Sequence, residues 1–146
     1  MPRYWLCVTN EENWRVVKER LIWGVSDRYK NAMGRVEPGD VLIFYVKPKR
    51  LGGAFKAASE PFTEKKPVFS SEGFPRAELF PHRVRLEPLI VPEEPVPIAD
   101  IIPELGFVKN KEKWTGHFRR AMREIPGEDA ETLMLVLKEH AAPSGP

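Results

Sequence analysis

Apolar positions along the chain change period several times, and each change predicts an element. Tyr4 to Thr9 (YWLCVT) is apolar on both faces and aromatic-rich, the pattern of a buried strand. From Asn10 to Leu21 the period lengthens: Trp14, Val17 and Leu21 stand at i, i+3 and i+7 on one helical face. Thr9 or Asn10 caps that helix, with Glu12 in capping-box position after Thr9. Trp23-Gly24-Val25 follows at the turn after the helix, then Ser26-Asp27 and a short helical or irregular stretch to Met33. Glu37-Pro38-Gly39-Asp40 predicts a type II turn, and Val41 to Val46 (VLIFYV), the longest apolar run, predicts a central strand. The basic turn Lys47 to Gly53 and the small-residue stretch Ala54 to Glu60 predict a hairpin whose second strand lies beside that run.

The second half is more broken. Residues 61–80 mix Pro, Ser, Gly and charge with the spaced aromatics Phe69, Phe74 and Phe80, and read as a long loop of the kind that carries function. His82 to Leu89 alternates, with Val84 and Leu86 on one side and Arg83, Arg85 and Glu87 on an open face that lines a groove or meets solvent. Residues 91–97 form a stiff Pro- and Glu-rich connector, and Ile98 to Leu105 a short apolar helical turn. Phe118, Ala121, Met122 and Ile125 are spaced as a helical face, which predicts a helix over His117 to Ile125 with Arg119, Arg120 and Arg123 opposite. Pro126-Gly127 breaks it, a final amphipathic helix spans Glu128 to His140, and residues 141–146 are expected to be a disordered tail.

Length and charge narrow the class. The chain of 146 residues is expected to form one domain over residues 1–140. Its net charge is only +2, but residues 109–123 hold six basic side chains against one acid, leaving the remainder mildly acidic. A basic block on such a body is the footprint of a phosphate-bearing partner or a plain solvated face. The lone Cys7 forms no intrachain disulfide, and His82, His117 and His140 lack metal-ligand spacing, so no metal and no cofactor is expected. With no signal-like or membrane-length apolar stretch, a cytoplasmic monomer that does not meet membrane is expected. The absence of Gln, four Asn and 15 Pro match the composition of thermophile proteins.

Catalytic signatures do not stand out. No phosphate loop, GxSxG elbow, HExxH helix or CxxC pair occurs, and no two carboxylates share an apolar context. What remains is an inventory for binding. Trp23 offers a flat stacking face, Asn10, Asn13 and Asn31 offer directional amides, and Tyr45 and the arginines complete the set. Each also has an ordinary structural use: Asn10 and Asn13 as helix caps, Asn31 in a turn, Tyr45 in strand packing. Trp23 is the one aromatic expected outside the core, since Trp14 is explained by its helical face.

The segments YWLCVTNEENW, IWGVSDRYKN, VEPGDVLIFYV, FPHRVRLEP and KWTGHFRRAMREIP occur in this order. Together they resemble the EVE domain family over roughly residues 3 to 126. The resemblance implies an α+β, PUA-like fold: a bent β-barrel of about five to six strands with flanking helices. It also implies kinship with YTH domains, which hold a methylated adenine in an aromatic cage, and a non-catalytic reader of modified bases in DNA or RNA. The first cage tryptophan of the YTH pattern falls on Trp23, the strand-to-helix asparagine on Asn10, and the position after the tryptophan on Gly24. The second cage tryptophan has no counterpart in residues 61–80, so Trp114 or Phe80 is the aromatic expected to close the cage. The expected base-binding set is thus Asn10, Asn13, Trp23, Gly24, Val25, Asn31, Tyr45, Phe80, Arg83 and Trp114. Lys113, Arg119, Arg120 and Arg123 are expected to hold the flanking phosphates. The competing expectation is an amidohydrolase acting on a modified nucleoside, with Lys30 or Glu60 beside Ser26.

Overall fold

The computed structural model describes residues 2–70 and 78–141. Strands β1 (Tyr4–Thr9) and β3 (Val41–Val46) lie side by side and parallel, Tyr4 opposite Val41 and Thr9 opposite Val46. A parallel pair needs a crossover, and the crossover here is helix α1 (Glu11–Arg20), strand β2 (Ile22–Val25), a 3-10 turn (Asp27–Tyr29) and the short helix α2 (Lys30–Gly34). From β3 the chain turns back as β4 (Arg50–Ala57), then runs through β5 (Phe62–Thr63) to β6 (His82–Ile90) and β7 (Val96–Pro97). Two further 3-10 turns (Ala99–Glu104 and Trp114–Phe118) lead to β8 (Met122–Ile125) and helix α3 (Gly127–Ala141). The main path of the sheet is β2-β6-β4-β3-β1-β8, with β5 added to β6 and β7 to β4. This is an α+β fold, a curled half-barrel sheet with flanking helices.

Period two explains why the central strands read as unbroken apolar runs. Leu6 and Val8 of β1, with Ile43 and Tyr45 of β3, point into a core closed by Ile98, Ile102, Phe118 and the α3 residues Leu133 and Leu137. Their neighbours Trp5, Cys7, Leu42 and Phe44 point the other way, into a core closed by Trp14 and Val17 of α1 and by Trp23 and Val25. Cys7 is completely buried there, and burial pushes its thiol well up, away from the reactive thiolate.

Several expectations shift. Asn10 is the helix cap, its Oδ1 accepting from the Asn13 N–H at 2.8 Å. Leu21, expected on the helix face, instead ends α1 in the left-handed region at φ 53°. The hairpin turn is tighter than expected, because β4 begins at Arg50. Gly52 and Gly53 look like turn residues but lie within the strand, where the Trp14 ring packs on them; a Cβ on Gly52 would sit 2.6 Å from Trp14 Cζ2. Residues 91–97, expected as a connector, include β7.

The largest correction concerns His117 to Ile125, which forms no helix. Phe118 ends a 3-10 turn and Met122–Ile125 is the edge strand β8, antiparallel to β1. Met122 and Ile125 are three apart because they enter opposite cores, Met122 opposite Cys7 in the core that holds Trp5, and Ile125 opposite Tyr4 in the core that holds Leu6. A short strand buried on both faces therefore mimics helical spacing. Arg119, Arg120 and Arg123 accordingly share no helical stripe. At the end of the chain, α3 includes Ala141, while the expected tail from 142 onward lies outside the described residues.

Asp40 ties the turn before β3 to β1. It is 2 % exposed and accepts from the Trp5 indole N–H at 3.1 Å, the Glu37 N–H at 3.0 Å and the Arg3 N–H at 3.0 Å. Truncation strands a buried indole donor, so Asp40→Ala is expected to cost about 3 kcal/mol. The urea midpoint should fall while the slope of the transition stays the same.

Candidate nucleic-acid interface

The two end strands of the sheet, β2 and β8, do not pair with each other. Where they approach, a cavity of ≈ 370 Å³ opens, lined by Val8 and Thr9 of β1, Trp23 and Gly24 of β2, and Ala121 just before β8. Asn10, Asn13, Ser26, Tyr29, Lys47, Phe69 and Phe80 complete the described lining. The volume suits a small planar ligand. Four aromatic residues and one cation are present, and no carboxylate stands among the described lining residues.

Trp23 belongs to the core as well as to the cavity. It is 3 % exposed and packs edge-on against Phe44, ring centroids 5.4 Å apart at 89°. The expectation that it stands outside the core is therefore corrected: strand pairing of β2 with β6 sets Trp23 opposite Val84 and anchors it.

The loop of residues 61–80 supplies the aromatic wall, and two buried side chains seat it. Asn13 donates Nδ2–H to Ser70 O at 3.0 Å and accepts from Ser70 N–H at 2.6 Å, so its amide reads the loop backbone. Arg83, expected on an open strand face, is fully buried under the loop. Its guanidinium donates to Phe80 O (3.0 Å), Glu64 Oε1 (2.9 Å), Lys66 O (2.6 Å) and Leu79 O (2.9 Å). The same group lies 5.2 Å over the Phe69 ring, and Phe69 meets Phe80 edge-on at 6.0 Å. Alternation assigned Arg83 to the face of Arg85 and Glu87, but the loop folds over this end of β6 and covers only Arg83.

Gly24 sits opposite Arg83 in the ladder. A Cβ there would drive into the Phe80 carbonyl oxygen and come within 2.9 Å of Arg83 Cγ and 3.2 Å of Phe69 Cε2. Phe80 itself is left-handed at φ 50°. Gly24→Ala is expected to cost about 1–3 kcal/mol of stability and to shift both phenylalanines, since one clashing atom is backbone. Urea unfolding gives the first quantity, and chemical-shift changes confined to the loop and β2 give the second. Beside this wall, His82 hydrogen-bonds Asp27 at 2.6 Å, which holds the Asp27 carboxyl below its usual range and ties the Ser26-Asp27 turn to β6.

Of the expected base-binding residues, the cavity gathers Asn10, Asn13, Trp23, Gly24 and Phe80. Asn10 spends Oδ1 on its cap, and its Nδ2 donates to no acceptor among the described residues. Val25 is buried in the core and Asn31 is exposed on α2, both outside the lining. Tyr45 faces the opposite core, stacked on Phe118 at 4.5 Å with its hydroxyl accepting from Lys49 N–H at 2.8 Å. Trp114 also packs on Phe118, at 5.6 Å, and does not close the cavity. Phe74 lies outside the described residues. Tyr29, Lys47 and Phe69 line the cavity without having been expected in the site; the aromatic spacing of residues 61–80 was the available signal for Phe69. None of the four expected phosphate-binding residues is in this lining: Lys113, Arg119 and Arg120 are exposed, the two arginines just before Ala121, and Arg123 is half-buried. Ser26 lines the cavity, but Lys30 and Glu60 are exposed residues outside it, so the hydrolase set is not assembled.

Among the described residues no helix is long and apolar enough to cross a membrane, and no group of His, Cys, Asp or Glu is placed to hold a metal ion. The chain is similar to a UPF0310 protein of Pyrococcus abyssi, 44 % identical over 92 % of this chain and 99 % of the relative. A UPF0310 protein of Pyrococcus horikoshii is 35 % identical over 92 % of this chain and 98 % of its own. Among solved structures, the YTH domain of Mmi1 in complex with RNA superposes with a TM-score of 0.64 at 14 % identity, covering 94 % of this chain and 82 % of that one. A Toxoplasma YTH domain in apo form gives 0.61 at 17 % identity, covering 99 % and 89 %. These likenesses show a YTH-like fold, in agreement with the α+β, PUA-like architecture that the sequence segments implied. The EVE domain model matches residues 3–135, and the chain belongs to the EVE domain family.

Proposed function

We propose that this protein is a non-catalytic reader that takes a modified nucleobase, flipped or single-stranded, into the cavity beside Trp23. The observation that carries this reading is the cavity wall itself: Trp23, Tyr29, Phe69 and Phe80, with the Asn10 amide and without a carboxylate among the described lining residues. Base stacking on such side chains is worth ~1–3 kcal/mol and tolerates every base. The Asn10 amide adds direction: its Oδ1 is held by the cap, and its Nδ2 donates toward an acceptor on a base edge. A methyl group buried against phenylalanine contributes ~0.8 kcal/mol, about fourfold, so preference for a methylated base rests on dry contact reinforced by edge contacts. Arg119, Arg120 and Lys113 flank the cavity's Ala121 side in sequence and are the groups assigned to strand phosphates. The fold likeness to a YTH domain solved with RNA supports a nucleic acid as the carrier of the base.

Tryptophan fluorescence tests this directly. Trp5 and Trp14 are buried outside the cavity lining and Trp114 lies in the other core cluster, so a ligand in the cavity quenches Trp23. A panel of methylated and unmethylated nucleosides should give saturable quenching that vanishes in Trp23→Phe. Absence of quenching by every nucleoside, together with no retention of single-stranded DNA or RNA, would sink the proposal.

A further inference from the structure

A second cavity, ≈ 570 Å³, has Lys109, His117 and Arg123 in its wall, together with the acids Glu128 and Asp129. Three segments of the chain bring these side chains together, and the arginine is the informative one. Arg35, Arg50 and Arg83 are each paired with a glutamate. Arg123 makes no ion pair and no side-chain hydrogen bond among the described residues, although its guanidinium is held 5.1 Å over the Phe107 ring. Burial and the neighbouring Arg120 both work against its charge, a cost that an anion would relieve.

The acids nearby do not supply that anion. Asp129 is buried, and its two oxygens accept from Gly106 N–H at 2.8 Å and Phe107 N–H at 3.0 Å. Glu128 is exposed and makes no ion pair with Arg123. His117 accepts from Asn110 N–H at Nε2, 3.3 Å, so the neutral ring carries its proton on Nδ1 as a further donor. Planar guanidinium, ammonium and imidazole around one cavity form a donor set for a phosphate oxyanion.

Position connects the two cavities. Ala121 lines the first and Arg123 the second, two residues on along chain that enters a strand. That is roughly 7 Å of extended backbone, or about two steps of a stacked strand at roughly 3.4 Å each. We propose that the second cavity is a phosphate site that holds a backbone phosphate of the strand whose base enters the first. The strand assignment rests on the reader function proposed above; the phosphate chemistry does not.

The test uses three probes on the full chain: a modified nucleoside, a short single-stranded oligonucleotide containing it, and inorganic phosphate. Arg123→Gln keeps most of the side-chain volume, Lys109→Ala removes an exposed group, and an unchanged urea midpoint verifies each fold. Both variants should bind the nucleoside as before. Both should bind the oligonucleotide about tenfold more weakly, with the slope of log affinity against log salt reduced by about one. Unchanged oligonucleotide affinity and slope overturn the proposal, as does an equal loss for nucleoside and oligonucleotide. Inorganic phosphate that shifts the Lys109 and His117 resonances, with oligonucleotide binding unaffected by either variant, assigns the cavity to free phosphate and overturns its place on the strand. If the nucleoside never binds but the variants still flatten the salt slope, base reading fails and the phosphate site stands.

Discussion

Arg83→Ala is expected to be the most damaging single substitution in the cavity wall, costing about 3–5 kcal/mol and abolishing ligand binding. The side chain is fully buried and holds four acceptors from both limbs of the loop, at Glu64, Lys66, Leu79 and Phe80. Glu64 is 39 % exposed, so water takes over part of its share, and the main loss is the guanidinium donors to three backbone carbonyls. The Phe69 ring loses its cation partner at the same time. Arg83→Lys should recover little, because an ammonium cannot fork to acceptors on both limbs. Urea denaturation measures the stability loss, and limited proteolysis should show residues 61–80 cut at protein concentrations where the sheet is still folded. A variant as stable as wild type would mean that the loop is held by something other than this hub.

Trp23→Ala is expected to remove two things at once, which a paired variant separates. The indole fills core volume against Phe44, so truncation should cost about 3–5 kcal/mol of stability. Its loss as a stacking surface should weaken base binding by ~1–3 kcal/mol, roughly 5- to 150-fold. Trp23→Phe keeps an edge-on aromatic partner for Phe44 and most of the stability, while offering a smaller stacking face. The preference for a methylated over an unmethylated base should fall in Trp23→Phe and vanish in Trp23→Ala. Isothermal titration of folded protein gives both affinities, and a methyl preference that survives Trp23→Ala would place the methyl group elsewhere.

Much of the fold was legible because local chemistry and tertiary demand agreed. β1, α1, the turn at Glu37 to Asp40, β3 and α3 all stand where periodicity and capping put them, and the Asp40 N–H to Glu37 O bond of 3.0 Å closes the expected turn. β8 was illegible for the opposite reason: its spacing satisfies a helix, and only its pairing with β1 makes it a strand. Gly52 and Gly53 misled in the same way, since their use is to admit Trp14 from another element.

Trp23, the residue on which the site reading turned, shows where the division falls. The sequence alone determined that an aromatic follows the first helix, that Gly24 stands beside it, and that Asn10 heads α1, since these are local choices of cap, turn and side chain. Tertiary structure alone decided that Trp23 serves core and cavity together and that Asn13 and Arg83 are spent on seating a loop. It also placed Phe69 beside Phe80 and set Arg123 over the Phe107 ring. The reason is physical: a side chain's hydrogen-bond partners are chosen by whichever backbone arrives beside it. For Arg83 and Asn13 part of that backbone comes from 17 and 57 residues away, at Lys66 and Ser70, beyond the reach of any periodic pattern.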